Sequence, residues 1–343
     1  MAKTPKKAGP YAYISNSASS SVTVIDTSTK KIVVERIRVG GNPGGLALTP
    51  KEEFLYVGNA NPASHSVSVI EVGSWKVTKP AVDVGLCPSS LAVSTDGGAV
   101  YVALQDPEPY ESTLRMRSAV CTISAKSNRV TAVTDLSFGG PPVDGWPAPE
   151  GGCGAVGELA IRPDRPQLYV PVSLANKIAV IDTVTNCVLK TFQGGSGPWL
   201  VFAPNAQRFY EVNTYNLGGG IRVFNPADDS VEEDNISPGS PCKTPESLAV
   251  APDSKRLYVA CVDSNSLSVI DATDPAYPVI GKIMLPFQPP PVAVTQDGGE
   301  VWVVGGGDDA SALVYETRNY TLTDTIHLPD GGPDRIVIGK KVY

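Results

Sequence analysis

The chain has 343 residues, of which 42% are hydrophobic and 18% charged, and its formal net charge is −7. This acidic balance disfavours nucleic acid as a partner, and no apolar run approaches the roughly 18–20 residues that span a bilayer. The 33 glycines and 31 prolines interrupt the chain too often for long helices, so the composition favours many short strands.

The first ten residues form a short basic segment. It contains Lys3, Lys6 and Lys7 but no apolar stretch of the kind found in a signal peptide. We expect residues 1–10 to be a flexible tail and residues 11–343 to be a single domain. The sequence as it stands favours a cytoplasmic protein, or a secreted one if a leader has been removed.

A five-residue segment of the form V-x-V-I-D recurs seven times along the chain. The copies end at Asp26, Glu71, Ser124, Asp182, Asn225, Asp271 and Glu316. Successive copies are 43 to 58 residues apart, and a period near 45 residues is what four short strands and their turns require.

Each repeat predicts four strands, which we name a to d in chain order. Strand a is apolar and follows a loop rich in Pro and Gly, as at 46–50, and strand b begins with an aromatic residue and Val, as at Tyr56. Strand c is the V-x-V-I-D segment, and strand d is rich in β-branched residues, as at 31–35. The continuous apolar a strands indicate burial between neighbouring sheets, and the alternating c strands a half-buried position.

These motifs resemble those of the YVTN-repeat propeller family over roughly residues 11–343. Tyr-Val and V-x-V-I-D-T recur, and P-x-x-L-A-V-x-P-D connects them. The resemblance implies an all-β, seven-bladed propeller with four antiparallel strands in each blade. The chain begins with a b strand at 11–14 and ends with an a strand at 335–338, so we expect the last strand to complete the first blade.

In such a propeller the b–c and d–a loops share one face, which we call the top face. The longest loops of the sequence fall there, at 105–118, 139–157, 213–220 and 235–246. Long loops on one face of a rigid scaffold usually carry binding function, although neutral variation of surface loops is the alternative. Their aromatic side chains, Tyr110, Trp146 and Tyr215, are predicted to contact a ligand.

The residues just before each a strand should form a ring around the mouth of the central channel. Most of these positions hold small or apolar residues, but the ring also contains Glu158, Trp199, Glu246, Asp334 and Arg335. We predict that Glu158 or Glu246 is a general acid or base and that Arg335 holds an oxyanion or carboxylate. Trp199 and Asp334 would complete the binding site. The alternative is that Arg335 pairs with Asp334 or Glu246 and only ties one blade to another.

Three further polar residues are candidates for binding. Asn59 and Gln105 end b strands, and His65 lies in a top-face loop. Polar residues at strand ends usually satisfy turn backbone, so we expect only some of them to reach a ligand. With two histidines in the chain and no H-E-x-x-H, G-x-S-x-G, P-loop or dinucleotide motif, we predict neither a metal nor a cofactor.

The six cysteines are too few for a scaffold built on disulfides. Cys87 and Cys153 occupy consecutive d–a loops at similar distances from the following strand, which leaves a disulfide between them open. Cys121 and Cys261 fall within predicted strands, where we expect packed, buried thiols.

These features leave three functions: a small-molecule enzyme, a protein-interaction platform, and the nucleic-acid or cell-surface role of some YVTN propellers. Propellers related to the YVTN family include lactone hydrolases, lyases and ring-forming biosynthetic enzymes, which is an analogy of fold. We therefore favour a monomeric enzyme without metal or redox cofactor, of the lyase, dehydratase, cyclase or lactone type, with its site at the top-face channel mouth. A non-catalytic platform for protein–protein interaction is the alternative, and the acidic charge disfavours the nucleic-acid role of some YVTN propellers.

Overall fold

The computed structural model describes residues 10–61, 64–85, 87–105, 118–136, 156–172, 175–194, 197, 199–213, 219–242, 244–288, 291–307, 309–329 and 331–339. Within these ranges, no helix has the length and apolar character needed to cross a membrane.

The described residues form seven four-stranded antiparallel sheets, each a blade of a β-propeller. Blade 1 consists of β28 (Pro333–Ile338), β1 (Tyr11–Asn16), β2 (Ser21–Asp26) and β3 (Lys31–Arg38). Blade 2 consists of β4 (Pro43–Leu48), β5 (Phe54–Asn59), β6 (Ser66–Glu71) and β7 (Lys76–Asp83). Blade 3 consists of β8 (Cys87–Val93), β9 (Ala99–Gln105), β10 (Ser118–Ser124) and β11 (Arg129–Asp135).

The remaining blades repeat the same order of strands. Blade 4 consists of β12 (Ala160–Ile161), β13 (Gln167–Val172), β14 (Lys177–Asp182) and β15 (Val188–Gln193). Blade 5 consists of β16 (Trp199–Phe202), β17 (Phe209–Asn213), β18 (Gly220–Asn225) and β19 (Ser230–Ile236). Blade 6 consists of β20 (Pro245–Val250), β21 (Arg256–Cys261), β22 (Ser266–Asp271) and β23 (Val279–Met284). Blade 7 consists of β24 (Val292–Val294), β25 (Glu300–Gly305), β26 (Ser311–Glu316) and β27 (Leu322–His327).

The core is divided into seven hydrophobic clusters, each shared by two consecutive blades. Each blade therefore buries both of its faces, which explains why the b strands are almost continuously apolar. In the cluster between blades 7 and 1, Trp302 and Val304 pack with Ile14 and Ile338. The ring is thus closed by side-chain packing as well as by strand pairing.

Every b strand has a fully buried aromatic residue at an equivalent position. These residues are Tyr13, Tyr56, Tyr101, Tyr169, Tyr210, Tyr258 and Trp302. Three of the tyrosine hydroxyls donate to the c–d turn of the next blade. Tyr56 donates to Oδ1 of Asn128 at 2.7 Å, Tyr101 to the Thr183 carbonyl at 3.3 Å, and Tyr169 to Oδ1 of Asp229 at 2.7 Å. A large apolar ring with a satisfied polar tip therefore connects each of these blades to its neighbour.

The ends of the chain meet in blade 1, where β28 pairs with β1. Ala12 lies opposite Ile338 and Asn16 opposite Pro333, with an irregularity between Ser15 and Asn16. This confirms the prediction that the last strand completes the first blade.

One prediction about the cysteines is wrong. Cys261 is not a free thiol but forms a disulfide with Cys242, and their Cα atoms are 5.2 Å apart. Cys261 is the last residue of β21, where the d–a loop that contains Cys242 passes over the strand end. Cys121 is a buried free thiol as predicted, and burial raises its pKa to about 12. Cys87 is disulfide-bonded, but Cys153, the partner that the sequence left open for it, lies outside the described residues.

Blades 2 and 6 make the same loop-to-strand contact in different ways. In blade 2 a Cβ added to Gly40 would lie 2.3 Å from Cγ of Asn59, so this close approach requires glycine. Gly40 and Cys242 are equivalent, since each stands three positions before its a strand, β4 or β20. Asn59 and Cys261 are equivalent as well, since each is the last residue of a b strand. A tight van der Waals contact in blade 2 therefore corresponds to a covalent bond in blade 6.

Candidate functional site

The side chain of Arg335 extends from blade 1 across the channel mouth. Its Cζ lies 5.0 Å from the centre of the Trp199 ring in blade 5, and its Nε lies 3.8 Å from Oε2 of Glu158, which precedes β12 in blade 4. In a ring of seven, blades 4 and 5 are the two farthest from blade 1. The guanidinium therefore lies over the channel itself, in a cation–π contact with an indole.

Two backbone anchors hold this arrangement in place. The Arg335 N–H donates to Oγ of Ser15 at 3.1 Å, and the Ser15 hydroxyl donates to the Gly44 carbonyl at 3.0 Å. On the far side, Nε1 of Trp199 donates to the Leu248 carbonyl at 2.8 Å. Hydrogen bonds to neighbouring strands thus fix the Trp199 ring and the backbone from which the Arg335 side chain extends.

The hydrogen-bonding capacity of the Arg335 guanidinium is only partly used. Nη1 donates to the Asp334 carbonyl at 3.1 Å and lies 3.7 Å from Oδ2 of the same residue. Nε is buried and has no hydrogen-bond partner. A guanidinium carries five N–H donors, so Arg335 can still bind an oxyanion.

Glu158 is held by its neighbours in a poorly solvated position, with 21% of its side chain exposed. Burial raises the pKa of its carboxyl, a shift that Arg335 and a hydrogen bond from Ser90 oppose and Asp334 reinforces. The Ser90 hydroxyl in turn accepts the Leu159 N–H at 2.9 Å. This chain of hydrogen bonds links blades 3 and 4 beneath the carboxylate.

Glu246 is the second carboxylate with a perturbed pKa at the mouth. The Glu246 side chain is exposed, but the surrounding protein partly desolvates its carboxyl and so raises its pKa. Arg335 opposes this shift, and Asp334 and Asp263 reinforce it. A glutamate with a raised pKa exchanges protons closer to neutrality, as a general acid or base must.

Glu246 also borders a cavity of about 430 Å³ between blades 6, 7 and 1. The cavity is lined by Glu246, Val262, Phe287, Gln288, Gly305, Gly306, Gly307 and Pro333. A Cβ on Gly305 would lie 2.4 Å from Cδ2 of Phe287, so this glycine allows the aromatic ring to close the apolar wall. The volume is in the range of small-molecule sites.

The other candidate residues lie elsewhere. Nδ2 of Asn59 donates to the hydroxyls of Ser66 and Ser68 at 3.0 and 3.1 Å within its own blade. His65 lies beside the outermost strand of blade 2, where its carbonyl accepts the Val84 N–H at 2.9 Å.

Gln105 is fully buried, and neither polar atom of its amide has a hydrogen-bond partner. Tyr110, Trp146 and Tyr215 lie outside the described residues. The structure therefore brings Glu158, Trp199, Glu246, Asp334 and Arg335 into one electrostatic group and places Asn59 and His65 apart from it.

Sequence reasoning missed Ser90 as a partner of Glu158, and it missed the cavity wall at Phe287. Ser90 belongs to the same ring of aligned positions, so a search of that ring for hydroxyl donors would have found it. Phe287 stands in a d–a loop without a repeated motif, and no sequence signal marks it. Among the described residues, no group of three or more His, Cys, Asp or Glu is placed to hold a metal ion.

No protein-family model matches the sequence, and no curated protein matches it. Among solved structures, the periplasmic gluconolactonase PpgL of Pseudomonas aeruginosa is similar, with a TM-score of 0.75, 17% identity and coverage of 98% of this chain and 100% of that one. A proposed 6-phosphogluconolactonase from Bacteroides uniformis has a TM-score of 0.74, 16% identity and coverage of 96% and 99%.

The hydrazine synthase of Kuenenia stuttgartiensis is also similar, with a TM-score of 0.67, 19% identity and coverage of 92% of each chain. At these identities the shared property is the seven-bladed fold.

Proposed function

We propose that this protein opens a small lactone by hydrolysis at the top-face channel mouth, without a metal or redox cofactor. The observation that carries the proposal is the guanidinium of Arg335, which lies over the channel and whose Nε, although 3.8 Å from Glu158, has no hydrogen-bond partner. Two carboxyls with raised pKa values, those of Glu158 and Glu246, flank it. We also infer from the repeat motifs that the chain is a member of the YVTN-repeat family.

In the proposed reaction the lactone occupies the cavity beside Glu246. The Glu246 carboxylate removes a proton from water, and the water oxygen attacks the lactone carbonyl carbon. Arg335 donates hydrogen bonds to the resulting oxyanion, a form of stabilisation that acts mainly in the transition state. When the tetrahedral intermediate collapses, the ring C–O bond breaks and the alkoxide takes the proton from Glu246, which gives a hydroxy acid.

Glu158 and Trp199 act in this scheme as positioning residues. Glu158 contacts the Arg335 side chain at Nε from the far side of the channel, and the Trp199 ring supports the guanidinium plane. An arginine that crosses a channel without such supports would sample many rotamers, and catalytic groups gain most when their geometry is fixed beforehand.

The similar solved structures support this proposal by analogy of fold only. Two of them are described as a gluconolactonase and a proposed 6-phosphogluconolactonase. A third is a hydrazine synthase, so the same scaffold carries unrelated chemistry. The residues at the channel mouth therefore support the proposal more directly than the fold does.

Hydrolysis of a panel of sugar-derived and simple lactones, followed by acid release at constant pH, tests the proposal. We expect Arg335→Gln to lower kcat by about 10²- to 10³-fold, as the loss of one oxyanion donor does elsewhere. The matched control is Arg318→Gln, because the Arg318 side chain is 82% exposed in the turn after β26, at the opposite face. Full activity in Arg335→Gln would contradict the mechanism, and no turnover of any lactone would favour the interaction platform.

We also infer that the protein works in an oxidising compartment. It contains the disulfide between Cys242 and Cys261, and Cys87 is disulfide-bonded as well. Structural disulfides are rare in proteins of a reducing cytosol. This inference favours the secreted alternative over the cytoplasmic one.

A further inference from the structure

The walls of the 430 Å³ cavity at the channel mouth carry an excess of negative charge. Glu246 lies in its lining, and the eight described lining residues include no Lys or Arg. The charged groups that act on Glu246 are one cation, Arg335, and two further carboxylates, Asp334 and Asp263.

Asp263 is a second carboxylate next to this wall, exposed on blade 6. It belongs to the short 3-10 turn Val262–Ser264 that follows β21, and its neighbour Val262 lines the cavity. The Thr244 hydroxyl donates a hydrogen bond to the Asp263 carboxylate, which ties this residue to the loop before β20. The opposite wall is formed by Phe287 and Pro333 and carries no charge.

The charge of Arg335 is already balanced within the site. Its guanidinium lies 3.8 Å from Glu158 and 3.7 Å from Asp334 at the nearest charged atoms. It can donate to a single oxyanion but has no surplus charge for a second anionic group. A phosphate monoester carries a charge of about −1.5 to −2 at pH 7, and proteins usually bind it with several cations or with a helix N-terminus.

We infer that the substrate is an uncharged lactone and that this site discriminates against its phosphorylated counterpart. The inference rests on the proposed lactone hydrolysis and names the substrate class. A small polyol lactone places its hydroxyls against Glu246 and Gln288, which accept or donate hydrogen bonds without charge repulsion. A phosphate in the same cavity faces an acidic wall, where like charges brought together cost several kcal/mol.

The test compares kcat/KM for the 1,5-lactone of gluconic acid and for the same lactone with a 6-phosphate. We expect the phosphorylated lactone to be at least about 100-fold poorer, because each 1.4 kcal/mol of repulsion corresponds to a tenfold change. Added salt should reduce this ratio, because it screens the exposed carboxylates. Equal kcat/KM values for the two lactones would overturn the inference.

Asp263→Asn is the decisive variant, because Asn keeps an acceptor for Thr244 and removes the charge. Because Asp263 also acts on the Glu246 carboxyl, the quantity to compare is the ratio of the two kcat/KM values. We expect the variant to raise the ratio of kcat/KM for the phosphorylated lactone to that for the uncharged lactone about 3- to 10-fold. Asp83→Asn is the matched control: Asp83 ends an outer strand of blade 2 on the same top face and accepts the Gly85 N–H at 3.0 Å. An unchanged ratio in Asp263→Asn would also overturn the inference.

Binding measurements separate this inference from the proposed hydrolysis. The corresponding lactam and its 6-phosphate are not hydrolysed, and calorimetry reports their affinities directly. If no lactone is opened but the neutral lactam binds at least about 100-fold more tightly than its phosphate, the reaction is wrong and the charge selectivity holds. If the phosphorylated lactam binds as tightly as the neutral one, or neither binds, the selectivity is wrong.

Discussion

Arg335 stands at a ring position that holds Gly45, Ser90, Glu158, Trp199, Ser247 or Pro291 in the other blades. The equivalent position in the adjacent blade is Gly45, which follows Gly44. A Cβ on Gly44 would lie 3.4 Å from Oδ2 of Asp334, and a Cβ on Gly45 would lie 2.7 Å from the Ser89 carbonyl. Small residues thus let the first strands of blades 2 and 3 approach each other beside Arg335.

The raised pKa of Glu158 predicts a stability that depends on pH. Because burial raises this pKa, the folded protein binds the proton more tightly than the unfolded chain. The folded state therefore loses stability as pH rises from the ordinary value of 4.5 through the raised pKa. Glu158→Gln resembles the protonated acid, so we expect it to melt at a higher temperature than the natural protein at pH 8.

Thermal melts followed by circular dichroism between pH 4 and pH 8 measure this difference. The gain in melting temperature should shrink toward pH 4, where Glu158 is protonated in both folded and unfolded protein. Glu233→Gln, on the exposed outer strand of blade 5, is the control for loss of one negative charge. A lower melting temperature for Glu158→Gln at pH 8 would show that its attraction to Arg335 outweighs the effect of burial.

The identity of the ring residues could be predicted from the sequence, but their contacts could not. Aligning the repeats placed Glu158, Trp199 and Arg335 at equivalent positions in different blades. The expected ion-pair partners of Arg335 were its chain neighbour Asp334 and Glu246, whereas the structure pairs it with Asp334 and with Glu158 across the channel. Alignment gives a position along each strand and carries no information on how far a long side chain reaches over an open mouth.

At the scale of single elements, the disulfide of blade 6 can be compared with the contact between Gly40 and Asn59 at the equivalent place in blade 2. Cys242→Gly with Cys261→Asn installs the pair that blade 2 uses. Ser266 and Ser268 can accept the new amide, because they lie on β22 as Ser66 and Ser68 lie on β6. The double variant therefore removes the covalent bond and avoids leaving a buried polar group without partners.

We expect this double variant to lose about 3 kcal/mol of unfolding free energy, the value for a closed loop of about 15 to 20 residues. The two cysteines are 19 residues apart. Urea unfolding with and without reductant measures the effect, and reductant should destabilise the natural protein more than the variant. An equal unfolding free energy in oxidising conditions would mean that the Gly–Asn contact replaces the bond fully.

Strand order within a blade was predictable because each strand type has its own pattern. The aromatic residue of the b strand was visible in the sequence, but its hydrogen bond was not. Tyr56 reaches Asn128 in the next repeat, 72 positions along the chain, and that contact depends on how the blades stack. Cys261 was misassigned for a related reason, because its partner loop is near it only once the blade has formed.

At the scale of the whole molecule, ring closure depends on a single strand of six residues. Deleting residues 333–343 removes β28, leaves β1 with an unpaired edge and takes Ile338 from the cluster between blades 7 and 1. We expect this truncated protein to be insoluble or to melt without cooperativity. A synthetic peptide of residues 331–343, added during refolding, should restore a soluble, cooperative fold. A truncated protein that melts cooperatively by itself would contradict this model of closure.

The number of blades and the manner of closure could be predicted because both follow from the repeat and from the complementary chain ends. The cavity could not, because it is built from three blades and from loops that share no motif.

The strand that closes the ring, β28, is also the one that carries Arg335. The guanidinium therefore reaches Trp199 and Glu158 only in a molecule whose two chain ends have met. A nascent or opened chain, in which β28 is not paired with β1, lacks the proposed reaction centre, so no intermediate before ring closure can act prematurely. The specific activity of a preparation would then be proportional to the fraction of molecules in which the ring is closed.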